Sequence, residues 1–118
     1  MSTLADIAVA LVALLHVYFL VLEMFLWDKP RGLRTFGLTP EFAAASKSLA
    51  ANQGLYNGFL AAGLVWGLAL GVDGYSIKIF FLGCVTLAGV FGAVTANAKI
   101  LWVQALPGAL ALALVLFS

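Results

Sequence analysis

Long apolar segments separated by short polar connections form the dominant pattern of this sequence. Each segment is close to the length of about 20 residues that a helix needs to cross a bilayer. The pattern therefore predicts an all-α protein whose helices cover, in chain order, residues 4–27, 40–72, 76–96 and 99–117. We expect residues 1–118 to form one integral membrane domain, a bundle of four transmembrane helices.

Residue types at the segment ends refine these boundaries. Residues 28–39 read as a polar connection with proline and glycine breakers. Thr39 then suits an N-cap, Pro40 the first helical position and Glu41 the first turn. The second predicted helix is longer than a span requires, so its first two or three turns should project into water on the cytoplasmic side. Pro107 should kink the last helix or free a carbonyl group within it.

The composition indicates lipid as the solvent. Hydrophobic residues make up 64% of the 118 residues and charged residues 9%, which is too few to cover a soluble globule. A net charge of +1 argues against electrostatic binding of nucleic acid. Cys84 is the single cysteine, so one chain can form neither an internal disulfide nor a thiolate metal cluster.

Basic residues predict the orientation, because short cytoplasmic loops are enriched in lysine and arginine. Most basic residues fall in or beside the first and third connections, and they are Lys29, Arg31, Arg34, Lys47 and Lys99. Only Lys78 falls on the opposite side. Both of these connections should therefore face the cytoplasm and both termini should lie outside. Trp27 and Trp102 would mark the cytoplasmic interface.

The second predicted helix carries amides at one end and bare glycines at the other. On a helical projection its polar residues share an arc of about 140°, and they are Asn52, Gln53, Tyr56 and Asn57. Gly63, Gly67 and Gly71 follow on the same face at four-residue spacing. Such a strip allows close helix packing, either within the chain or between copies in a homo-oligomer. Buried amides need partners, so other helices should surround this one.

Polar residues of three helices fall at one predicted depth, in the cytoplasmic half of the membrane. Glu23 lies one turn inside Trp27, Gln104 lies just inside Trp102, and His16 is deeper. Each has an ordinary alternative: Glu23 can extend to the interface, His16 can be a neutral hydrogen-bonded side chain, and Gln104 can satisfy the freed carbonyl. Together they predict a cytoplasm-facing pocket with these ligand-binding residues: His16, Glu23, Trp27, Asn52, Gln53, Tyr56, Asn57 and Gln104. We expect Glu23 to meet Asn57 or Gln53.

Several of these residues also carry a resemblance to a known family. His16, the pair Leu22–Glu23, the run from Asn52 to Ala61, and Gln104 with Pro107 resemble small bacterial membrane proteins grouped as domain of unknown function 1304. The resemblance covers nearly the whole chain. It implies a multi-pass protein of the bacterial inner membrane, and it implies no activity.

A second similarity concerns residues 51–53 at the cytoplasmic entry of the second helix. This run is similar to the corresponding segment of the membrane-associated eicosanoid and glutathione metabolism superfamily. That similarity implies a four-helix chain with both termini on one side, a trimer, and sites at subunit interfaces. The arginines that hold glutathione in that superfamily are missing here, since only Lys47 is nearby.

Three functions are consistent with the sequence. The first is binding or transport of a small polar or cationic ligand in the predicted pocket. The second is a membrane enzyme acting on a lipophilic substrate, with His16 or Glu23 as the acid or base, although no nucleophile–base pair has a recognisable spacing. The third is a structural or accessory subunit whose amides only join helices. The sequence indicates no metal site and identifies neither a cofactor nor a catalytic residue.

Overall fold

The protein is all-helical in the computed structural model, which describes residues 2–118. Met1, the first residue of the predicted domain, lies outside the described residues. The elements in chain order are α1 (Thr3–Met24), α2 (Pro30–Phe36), α3 (Pro40–Ala69), a 3-10 turn (Gly71–Gly74), α4 (Tyr75–Thr95), a π-helical turn (Leu101–Ala105) and α5 (Leu106–Leu116). The predicted all-α class is confirmed, and no strand occurs in this described range.

The predicted polar connection contains a short helix, α2, which was not predicted because proline and glycine residues there indicated a loop. Pro30 occupies its first turn, where the missing N–H is not needed. Gly37 ends it in the left-handed conformation, with φ 64° and ψ 42°. Gly32 is buried, and a side chain there would collide with the carbonyl oxygen of Leu26. Gly32 thus lies against Leu26 and Trp27, which follow α1, and that helix ends at Met24 and not at the predicted residue 27.

α3 begins where the sequence predicted. The Thr39 hydroxyl accepts a hydrogen bond from the backbone N–H of Phe42 at 3.1 Å, which confirms the N-cap. The helix ends at Ala69 and not at residue 72, because Gly71 turns the chain with φ 61°. Gly71 consequently lies outside the predicted glycine strip, and an added Cβ there would meet nothing within 4 Å.

The segment predicted as the last helix contains the π-helical turn followed by α5. In the π-helical turn the N–H of Leu106 bonds to the carbonyl of Leu101, five residues earlier. Pro107 then lies in the first turn of α5, where its lack of an N–H costs little. The predicted irregularity near Pro107 is therefore present as a π-helical turn that precedes it.

The described chain packs as two compact units, residues 15–59 and residues 2–14 with Leu60–Ser118. Apolar side chains from α1, α3, α4 and α5 form the core of the second of these, and they are Ala5, Val9, Val12, Ala13, Leu64, Leu82, Val85, Ala111 and Val115. Two helical stretches, Thr3–Met24 and Gly71–Thr95, are long and apolar enough to cross a membrane, and the apolar stretch Leu101–Leu116 is shorter. The four spans, their orientation and the single membrane domain stay predictions.

Glycines bring α3 and α4 together within this second unit. A Cβ at Gly63 would collide with the ring of Phe81, and one at Gly67 would lie 2.7 Å from Cγ of Lys78. The close-packing role predicted for Gly63 and Gly67 is confirmed. Their neighbour is α4 of the same chain.

We expect Gly89→Ala to destabilise the protein by about 1–3 kcal/mol, the usual cost of overpacking. Its new Cβ would lie 2.5 Å from the backbone nitrogen of Ala105 in the π-helical turn. Gly83→Ala is the matched control in the same helix, because a Cβ there meets nothing within 4 Å. The control should be neutral or stabilising by up to about 1 kcal/mol. Thermal unfolding in detergent compares the two, and equal midpoints would contradict the close approach.

Candidate functional site

Glu23 and Asn57 form a hydrogen bond between α1 and α3. The Asn57 side-chain nitrogen donates to Oε1 of Glu23 at 2.5 Å. Asn57 is 7% exposed and Glu23 is half-buried. This contact confirms the predicted meeting of Glu23 with an amide of the second long helix. Because Glu23 is only half-buried, its carboxylate also retains access to its surroundings.

Gly54 and Gly58 make this contact possible by letting the two helices approach. A Cβ at Gly54 would lie 2.6 Å from Cγ of Met24 and 3.1 Å from Cβ of Glu23. A Cβ at Gly58 would lie 2.8 Å from Cδ1 of Leu20. The amide-rich run therefore carries its own close-packing pair, which the sequence analysis had placed only further along the helix.

Two more polar contacts join α3 to the residues that follow α1. The Trp27 indole N–H donates to the Ser46 hydroxyl at 3.0 Å. Lys47 forms an ion pair with Asp28, with 3.1 Å between Nζ and Oδ2. The hydrogen bond from Lys47, helped by its charge, lowers the pKa of Asp28.

The order of these contacts fixes the direction of the helices. Glu23 contacts Asn57, whereas Trp27, four residues later, contacts Ser46, which is earlier in α3. Residues 23–27 and residues 46–57 of α3 therefore run antiparallel. Ser46, Lys47 and Asp28 had no assigned partner in the sequence analysis. The available signal was the position of Ser46 and Lys47 on the predicted aqueous extension of the helix and of Asp28 in the predicted polar connection.

The other predicted amide residues lie on an exposed face of α3. Asn52 donates from its side-chain nitrogen to the Tyr56 hydroxyl at 3.0 Å, and both residues are exposed. Gln53 is exposed as well. The buried stripe of α3 in this unit contains Ala50, Gly54 and Asn57, so the structure brings Asn57 alone of the four polar residues to Glu23.

His16 and Gln104 occupy different surroundings. His16 is fully buried in α1, with its ring edge-on to Phe19 at a centroid distance of 5.2 Å. Gln104 is half-buried within the π-helical turn, in the other compact unit. The ligand-binding role of the whole predicted set stays a prediction.

An ion pair in the second unit was missed from the sequence. Lys78 is fully buried in α4, and its Nζ lies 3.2 Å from Oδ1 of Asp6 in α1. The stem of Lys78 passes over Gly67, which has no side chain to obstruct it. The sequence signal was a lone lysine and a lone aspartate within two apolar segments, and it had been used only for orientation.

An open groove of about 290 Å³ lies beside the π-helical turn in the second unit. Apolar side chains dominate its wall, and the lining residues are Thr86, Val90, Leu101, Trp102, Ala105, Leu106 and Ala109. Its chemistry therefore suits an acyl chain or another apolar group. Its residues are distinct from the predicted polar set.

Comparisons with known proteins support the first resemblance. Over residues 10–116 the chain matches the family described as "Protein of unknown function (DUF1304)". The "Uncharacterized protein YpaA" of Lactococcus lactis subsp. lactis (strain IL1403) is 32% identical over 106 residues, which cover 88% of this chain and 89% of the relative. No solved structure matches the chain. The similarity to the eicosanoid and glutathione superfamily stays a prediction.

We expect Glu23→Leu to destabilise the protein by about 1–3 kcal/mol, because it leaves the buried Asn57 amide without its acceptor. Glu23→Gln keeps an acceptor oxygen and should unfold close to the wild-type temperature. Cysteines at positions 23 and 57 should form a cross-link in a Cys84→Ala background. An unchanged midpoint for Glu23→Leu, together with no cross-link, would contradict the contact.

We expect Asp6→Ala to cost about 3 kcal/mol, because it leaves the buried Lys78 cation without a carboxylate. Lys78→Met removes the buried charge and fills the same space, so its cost should be about 1 kcal/mol or less. Thermal unfolding of both variants, and of the double variant, measures the coupling. An unchanged midpoint for Asp6→Ala would show that the charge of Lys78 needs no partner.

Proposed function

Because the chain belongs to the DUF1304 family of proteins of unknown function, we propose its role from the site itself: it is an integral membrane protein that binds or transports a small polar or cationic ligand at Glu23. One observation carries this proposal. A half-buried carboxylate is held at Oε1 by an amide from a neighbouring apolar helix, within hydrogen-bond reach of anything that enters beside it. Ionisable groups on such helices mark functional sites by default.

The exposed apolar surface supports the membrane assignment. Within their most apolar windows, 28% of Thr3–Met24 and 22% of Gly71–Thr95 are buried. A core helix of a soluble protein would be mostly buried, so these figures favour lipid as the surrounding solvent. Large side chains point outward on both stretches, as for Leu14 at 64% exposure and Phe91 at 68%.

We place four spans in the bacterial inner membrane, with α1, the later part of α3, α4 and the Leu101–Leu116 stretch as the crossing segments. The basic residues beside α2 and Lys99 then face the cytoplasm, and both termini face outward. In this arrangement the first turns of α3 extend into water, in agreement with the exposed ion pair between Lys47 and Asp28.

The pair of Glu23 and Asn57 sets the chemistry of the ligand. One carboxylate oxygen accepts from Asn57, and the other can accept from an ammonium or guanidinium group or bind a cation. Trp27, whose indole N–H bonds to Ser46 of the same compact unit, belongs to the proposed ligand-binding set as well. We include the remaining predicted residues of the same compact unit, His16, Asn52, Gln53 and Tyr56, in the proposed ligand-binding set.

The exposed amides of α3 support self-association. Asn52 and Gln53 face outward, and an amide that faces lipid lacks the partners that water would supply. A second copy of the chain can supply them, so we propose a homo-oligomer, with a trimer as the form that the superfamily similarity implies.

A membrane enzyme acting on a lipophilic substrate is the second candidate, and the apolar groove beside the π-helical turn favours it. π-helical turns occur often at functional sites. The groove and Glu23 lie in different compact units, so this candidate assigns Glu23 no contact with the groove.

The first test follows the whole chain in cells and then the purified protein. Wild type should remain in the membrane fraction after alkaline carbonate extraction. In detergent, millimolar alkylammonium or methylguanidinium salts should raise its thermal midpoint, and Glu23→Gln should abolish that rise because it removes the negative charge. Asp28→Asn is the matched control and should respond like wild type. If the thermal midpoint of Glu23→Gln still rises with these salts, the assignment of Glu23 is overturned. If a long-chain lipid raises the midpoints of wild type and Glu23→Gln alike, the second candidate, a membrane enzyme, is favoured.

A further inference from the structure

The first connection carries more basic side chains than acidic ones. Lys29, Arg31 and Arg34 are exposed on and beside α2. Among residues 2–118 the ion pairs are Lys47 with Asp28 and Lys78 with Asp6, so none of these three cations is paired. A net positive surface of this kind attracts an external anion.

The nearby acidic side chains do not form ion pairs with these three cations. Glu23 accepts from Asn57, and Asp28 is paired with Lys47. Glu41 lies in the first turn of α3, where a carboxylate is stabilised by the helix N-terminus. The positive charge of α2 is therefore left for a partner outside the chain.

Arg31 is drawn back along the side of α1. Its Nη1 donates to the Tyr18 hydroxyl at 3.0 Å, and both side chains are exposed. Tyr18 precedes Met24, the last residue of α1, by about 9 Å of helix. The guanidinium consequently lies beside α1 and not beyond its end. Arg34 follows Arg31 by three residues, which places both on one side of α2.

We propose that Arg31, with the Tyr18 hydroxyl beside it, and Arg34 bind the phosphate of an anionic phospholipid headgroup. Guanidinium groups match phosphate geometry through paired N–H donors, and the phenol orients one of them. The proposal rests on the membrane part of the proposed function and is independent of the ligand at Glu23. It assigns α2 the role of holding a lipid against the end of α1.

The experiment titrates phosphatidylglycerol, or phosphatidylcholine with the same acyl chains, into the purified full-length protein in a neutral detergent. Native mass spectrometry counts the bound lipids. Wild type should bind phosphatidylglycerol preferentially. Arg31→Gln should weaken that binding about fivefold, and Arg31→Gln with Arg34→Gln about 25-fold, as expected for one and two lost surface cations.

Two further variants separate a defined site from general surface charge. Lys99→Gln removes an exposed, unpaired cation from another connection, and its binding should stay within about twofold of wild type. Tyr18→Phe keeps every charge and should weaken binding about two- to tenfold through the lost hydrogen bond. Glu23→Gln should leave lipid binding unchanged, so failure of the lipid site and failure of the Glu23 site are distinguishable.

Three results would overturn the lipid site. Equal binding of the two lipids would exclude recognition of the anionic headgroup. Equal losses for Arg31→Gln and Lys99→Gln would reduce the effect to net charge. Displacement of phosphatidylglycerol by millimolar inorganic phosphate would assign the site to a soluble anion. Circular dichroism checks the fold of each variant. Arg31→Lys keeps the charge but not the paired donors, so it should bind phosphatidylglycerol more weakly than wild type and more strongly than Arg31→Gln.

Discussion

A carboxylate on an apolar helix needs a hydrogen-bond donor from its surroundings, and in this protein Asn57 supplies it to Glu23. The requirement governs the local packing. Gly54 removes the side chain that would hold the two helices apart, and the antiparallel direction brings Trp27 to Ser46 further along the pair. The contacts that join the helices therefore also orient the Glu23 carboxylate.

The same constraint explains the second unit of the chain. Lys78 is fully buried, and its charge is compatible with that position because Asp6 contacts it. Gly67 provides the space through which the lysine stem passes. In the described range, every buried side-chain nitrogen and oxygen has a hydrogen-bond partner. In each unit a glycine, Gly54 or Gly67, provides the space in which the polar pair forms.

Backbone irregularities contribute to the chemistry as much as the regular helices do. α2 turns a connection into a short basic helix whose Arg31 lies against Tyr18. The π-helical turn before Pro107 places Gln104 and opens an apolar groove. Both features lie at proline-containing positions, where the ordinary hydrogen-bond pattern is interrupted and the chain can present groups that a straight helix would hide.

The sequence by itself determined the helical class, the start of α3 at Thr39 and Pro40, the family, and the meeting of Glu23 with an amide. These depend on local signals: apolar length, capping chemistry, and residue types at matching positions along two helices. The tertiary structure decided that α2 forms, that Lys78 is buried, and which part of the polar arc faces a neighbour. Asn57 faces inward while Asn52 and Tyr56 stay exposed, because residue spacing fixes the angles between side chains on one helix, whereas packing against other helices fixes its rotation.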